Sequence, residues 1–170
     1  MLLIALLISA GAVTPTAPAN PLAKAEKGLL QCYRPDVTKK TCQSIASYRR
    51  TGADAFDNKA VIPLGNGATL ETHTLVTLKS GAVCGFVRAE DLLAGTLRLH
   101  DEVLPAEQAK PILERIAQTE APLAGKEICT QYEASGADFI TRITVAGADR
   151  PDQHIAVKWI SPSDGYTVTP

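Results

Sequence analysis

The stretch ATLETHTLVTLKSGAVCGFV, residues 68–87, reads as a β-hairpin. Leu70, Thr72, Thr74, Val76 and Leu78 share one face, and Glu71, His73, Leu75 and Thr77 the other. Side chains alternate across a strand, so this period-2 pattern with β-branched residues predicts a half-buried strand. Lys79-Ser80-Gly81 supplies a short glycine-bearing turn. The second arm, residues 82–87, is nearly all apolar and predicts a central strand buried on both faces.

Further strands follow from the same pattern. Residues 29–33 and 40–50 are expected to pair around the turn Pro35-Asp36-Val37-Thr38, where proline fixes φ and aspartate can bond its own downstream backbone. Residues 51–58, with Gly52, Asp54, Asp57 and Asn58, read as a loop, and residues 60–64 as a short apolar strand. Residues 96–100 read as a strand with Leu97 and Leu99 inward. A second hairpin is expected over 127–134 and 138–146, turning at Ser135-Gly136-Ala137, with Phe139, Thr141, Ile143 and Val145 on one face. The last strand covers 154–160, with Ile155, Val157 and Trp159 inward, and Tyr166 packs back from the tail. The main helix is expected over 105–119, with Ile112, Leu113, Ile116 and Ala117 on one face. Pro111 implies a kink or a late start, and residues 89–94 one more helical turn. The fold class is α+β: mainly antiparallel sheet, six to eight strands in hairpins, with one main amphipathic helix.

The amino terminus points to export. Residues 2–13 are apolar and uncharged, and Ala17-Pro18-Ala19 follows, the layout of a secretory signal cut after Ala19. No Lys or Arg precedes the apolar run, a departure from the usual pattern. The run is too short to span a bilayer, which takes about 20 apolar residues. The expected organisation is a signal peptide over 1–19, a flexible lead-in or short helix over 20–28, and one domain over 29–170. A periplasmic or extracellular location is expected, with no stable membrane span after cleavage. The 17 basic and 18 acidic residues nearly cancel. With no basic block beyond pairs such as Lys39-Lys40 and Arg49-Arg50, nothing favours nucleic acid.

The four cysteines, Cys32, Cys42, Cys84 and Cys129, form an even set in an exported chain, which favours two disulfides. Cys32 and Cys42 lie on opposing arms of an expected hairpin; with Val37 as midpoint they face each other. That leaves Cys84 with Cys129. Zinc sites use close cysteine pairs, and redox couples a C-x-x-C at a helix start; neither spacing occurs here.

Catalytic patterns are absent as motifs. His100-Asp101-Glu102 brings an imidazole beside two carboxylates, but adjacent strand residues face opposite ways, so it reads as a strand end entering an acidic turn. His73 and His154 stand alone in sequence. No serine has an elbow context, and Gly65-Asn66-Gly67 lacks the helix of a phosphate loop. Asp54, Asp57 and Asn58 lack calcium-loop spacing. Trp159 reads as core, and Tyr48 shares a face with Cys42 in a small surface cluster. Sites for catalysis, cofactors or metals are therefore not assigned, and no cofactor is expected. The favoured expectation is a small non-enzymatic exported domain that binds a protein or envelope component through an exposed sheet edge over residues 41–50. The alternatives are a secreted hydrolase assembled from His73, His100, His154 and nearby acids, and a metal or small-ligand carrier.

Overall fold

A computed structural model describes residues 20–169. The expected signal peptide and its cleavage point lie outside the described residues. The elements are β1 (Leu30–Tyr33), β2 (Thr41–Cys42), β3 (Ser44–Arg50), β4 (Ala55–Gly65), β5 (Ala68–Lys79), β6 (Ala82–Phe86), α1 (Ala89–Leu93), β7 (Thr96–Leu99), β8 (Glu102–Val103), α2 (Ala106–Glu120), β9 (Glu127–Ser135), β10 (Asp138–Val145), β11 (Ala148–Asp149), β12 (Ala156–Ile160) and β13 (Thr167–Val168).

Eight strands pair in the order β4-β3-β1-β12-β10-β9-β6-β5, and β4 pairs with β5, so the sheet closes on itself as an antiparallel barrel. Closure leaves the barrel wall without an edge. The remaining strands are appendages: β7 and β8 extend from the first half of β5, β11 from β10, and β13 pairs with β2 outside the barrel. The protein is thus mostly β, with one main helix; the α+β expectation holds for its antiparallel hairpins and its single long helix.

The hairpin at residues 68–87 forms as its pattern requires. Ser80 (φ 50°) and Gly81 (φ 81°) occupy a two-residue turn; positive φ at both positions matches the twist of paired strands. The inner face carries Leu70, Thr72, Thr74, Val76 and Leu78. It continues around the wall through Phe56, Asn58 and Ile62 on β4 and Thr141, Ile143 and Val145 on β10, following the register of each pair.

Several elements differ from the sequence reading. Residues 55–58 are strand, not loop. Asp57 points outward, where Arg49 bonds it at 3.3 Å, and Asn58 points inward and donates to the Ser47 carbonyl at 3.2 Å. Each polar side chain has a use on its own face of the wall. The strand at residues 96–100 stops at Leu99, which is exposed, while Leu97 is buried. On α2 the buried positions are Ala109 and Leu113, with Ile116 packed beside them, and Ile112 is exposed. The helix runs through Pro111, so no late start occurs.

The residues expected as a flexible lead-in pack against the barrel. Leu22 is fully buried with Ala25, Phe56, Val76 and Val83, and a single 3-10 turn, Ala25–Lys27, follows it. Asn20 Oδ1 accepts from the Leu22 amide at 2.8 Å, and Glu26 pairs with Arg50 on β3. This segment closes one end of the barrel. At the other end α2 packs Ala109 and Leu113 on Leu70 and Leu97.

Both disulfides form in the expected pairing, Cys32–Cys42 and Cys84–Cys129. Cys84 and Cys129 are direct cross-strand partners on β6 and β9. Cys32 and Cys42 are not: Cys32 sits opposite Ile45 on β3, because Thr41 and Cys42 leave the ladder to pair with the C-terminal tail. Their bridge packs outside the barrel with Ile160, Leu30, Ile45 and Tyr166. Among the described residues no helix is long and apolar enough to cross a membrane.

Candidate functional site

The barrel interior is filled at the end closed by Leu22 and Phe56 and hollow above it. A cavity of about 360 Å³ lies there, bounded by the inner wall and, at the far end, by α1 and α2. Its apolar lining includes Ile62, Val76, Val83, Ile116 and Ile128. Gly85 keeps the wall of β6 thin: a Cβ there would stand 3.0 Å from Val76 Cγ1.

A knot of polar side chains crosses the interior. Tyr33, Tyr48 and Tyr132 come from three strands, and all three donate to one acceptor, Oε1 of the fully buried Gln31, at 2.7, 3.0 and 3.2 Å. The Tyr33 hydroxyl is also 3.2 Å from that of Tyr132. Strand alternation delivers them: Gln31 and Tyr33 are two apart on β1, and Tyr48 and Tyr132 hold inward positions on β3 and β9. All three tyrosines also line the cavity.

Burial pushes the Tyr33 and Tyr48 hydroxyls well above the ordinary phenol value, and the neighbouring Tyr132 phenol adds to it. Both stay neutral in the folded protein where an unfolded tyrosine ionises, near pH 10. The folded state then holds more protons than the unfolded state, so stability is complete below pH 10 and falls as pH rises through the folded values. The expected loss is about 1.4 kcal/mol per pH unit for each tyrosine. Urea midpoints between pH 9 and 11 measure it, and Tyr33→Phe should make that decline shallower. An unchanged slope in the variant would remove Tyr33 from the effect.

At the helix end of the cavity three charged side chains line the wall: Arg88, just before α1, Asp91 within α1, and Glu120 at the end of α2. Asp91 Oδ2 is shut off from solvent and no protein donor bonds it; Gln31 Nε2 is the other such buried side-chain atom among the described residues.

The three histidines sit on separate elements away from this cavity. His73 faces outward on β5, with Nδ1 3.2 Å from Asp57 and Nε2 3.7 Å from Glu71. His154 pairs with Asp149 at 3.1 Å. His100 and Asp101 are the two positive-φ residues of the β7–β8 turn, with the His100 ring over Gly67. Cys84, Glu127 and Cys129 cluster closely enough for a metal, but both sulfurs are spent in the disulfide. Tyr48 is inside the barrel, not in a surface cluster with Cys42, because Cys42 lies on β2 outside the ladder. The stretch 41–50 offers no barrel edge: β3 is paired on both sides, by β1 and β4. Gln31, Arg88 and Asp91 carry no sequence signal of their own; the inward alternation of Gln31 and Tyr33 was available, but not the neighbours it leads to.

Fold and site together define a closed eight-stranded barrel with an amphipathic interior cavity. Compared with protein-family models, curated proteins and solved structures, the chain matches none of them.

Proposed function

We propose that this protein is an exported carrier that holds one small organic molecule inside its barrel. The observation that supports this most directly is the interior cavity of about 360 Å³. Ligand pockets span about 300–1,000 Å³ and combine apolar walls with a few placed polar groups. Eight strands make a barrel interior wide enough for one small ligand. Export is supported by the signal-like residues 1–19 and by two disulfides, which persist in oxidising compartments. Binding of a protein or envelope component through the strand at 41–50 loses its support, since that strand is paired on both sides. The hydrolase reading loses its histidines, which lie outside the cavity.

Thr130→Trp provides the test. Thr130 lines the cavity from β9, and an indole there occupies the space a ligand needs. Oxidised protein purified from its exported compartment is extracted with organic solvent and the extract analysed by mass spectrometry. Wild type should release a stoichiometric small molecule and Thr130→Trp, with its circular dichroism retained, should release none. A wild-type extract without a stoichiometric small molecule, or equal release from both proteins, would overturn the carrier reading.

A further inference from the structure

Resting on the carrier reading, we propose that the ligand is a zwitterion with an apolar body, a hydrophobic amino acid or a molecule of that charge pattern. Arg88, Asp91 and Glu120 line one cavity, yet the ion pairs among the described residues all form elsewhere. Opposite charges three residues apart can pair when both lie on a helix. Here Arg88 is held in an extended conformation ahead of α1 (φ −125°, ψ 131°) and the two stay apart. Two carboxylates and one guanidinium on one cavity wall are costly to desolvate unless each meets an opposite charge.

An ammonium group in the cavity supplies the missing counter-charge for Asp91 and Glu120. A carboxylate on the same ligand meets the guanidinium of Arg88, whose planar fork suits it. A simple cation would leave Arg88 without a counter-charge, and a simple anion would leave Asp91 and Glu120 without one. The apolar body then extends inward along Val76, Val83 and Ile128 toward the tyrosines. The wall carries two carboxylates and one guanidinium, so both ligand charges find a partner.

Four probes of one shape separate these terms: phenylalanine, phenethylamine, 3-phenylpropionate and 3-phenylpropanol, titrated calorimetrically into the oxidised protein near pH 7. Phenylalanine should bind about tenfold or more tighter than either singly charged probe, the scale of a charge-assisted hydrogen bond. Asp91→Asn should weaken phenylalanine and phenethylamine about tenfold and leave 3-phenylpropionate and 3-phenylpropanol unchanged. Arg88→Gln should weaken phenylalanine and 3-phenylpropionate and leave the other two unchanged. Unchanged binding of 3-phenylpropanol shows that each variant keeps its cavity. If phenethylamine or 3-phenylpropionate equals phenylalanine, the zwitterion is overturned. If 3-phenylpropanol equals phenylalanine, the charge recognition is overturned while the carrier reading stands. If none of the four binds, the proposed ligand class is overturned, and solvent extraction of the wild type decides the carrier reading separately.

Discussion

Leu22→Ala is expected to destabilise the protein by about 2–5 kcal/mol, although it lies in a segment whose composition resembles a linker. Leu22 is fully buried and touches side chains of the barrel end, Phe56, Val76 and Val83. Truncation removes its transfer free energy and leaves a void that the rigid wall relaxes only partly. The surrounding bonds add local order: the Asn20 side chain bonds the Leu22 amide, and Glu26 pairs with Arg50. The measurement is the denaturant midpoint of the oxidised protein. The neighbouring Ala23 is exposed and serves as the control; Ala23→Ser should change the stability by less than about 0.5 kcal/mol. A Leu22→Ala effect as small as that would mean the segment does not close the barrel in solution.

The second large effect is expected from the disulfide between Cys84 and Cys129. The pair spans 45 positions, and the chain-entropy model assigns such a closed loop about 4 kcal/mol, against about 3 kcal/mol for the separation of 10 between Cys32 and Cys42. Replacing Cys84 and Cys129 by serine together should therefore cost more than the same change at Cys32 and Cys42. Position adds a functional consequence. The bridge joins β6 to β9, and the chain between them, residues 87–126, contains α1, β7, β8 and α2. These elements bring Arg88, Asp91 and Glu120 to the cavity, so the bridge ties down both ends of the insertion that forms its mouth. Chemical denaturation of the two double variants, followed by circular dichroism, orders the effects. Equal losses, or a larger loss at Cys32 and Cys42, would contradict the loop-length account.

Local pattern made much of this molecule legible. The alternation in residues 68–87 marks a strand, a turn and a second strand because period-2 burial and positive-φ glycine turns are short-range properties. The same holds for the hairpin of β9 and β10, whose inward set Phe139, Thr141, Ile143 and Val145 follows from alternation alone. Cysteine number and spacing led to the disulfide pairing, although the geometry assigned to Cys32 and Cys42 failed where β2 leaves the ladder. Helix α2 was legible in extent, but its buried stripe is rotated toward Ala109 and away from Ile112. An amphipathic face is fixed by what it packs on, and here that is Leu70 and Leu97.

The site was less legible. Asp57 and Asn58 look like loop residues because polarity is judged without knowing what lies on each side of the chain. In the barrel one meets Arg49 and His73 outside, and the other faces the cavity. Tyr33, Tyr48 and Tyr132 are separated by up to 99 positions, yet their hydroxyls meet at Gln31. Most strands, their turns, the main helix and the two sulfur bridges could be read along the chain, since each depends on near neighbours or on a small set of pairings. The pairing of β4 with β5 that closes the sheet could not, because it belongs to the assembled wall and to no single segment. Closure gives every strand an inside, and that inside turns an ordinary alternating glutamine and three scattered tyrosines into the lining of one cavity.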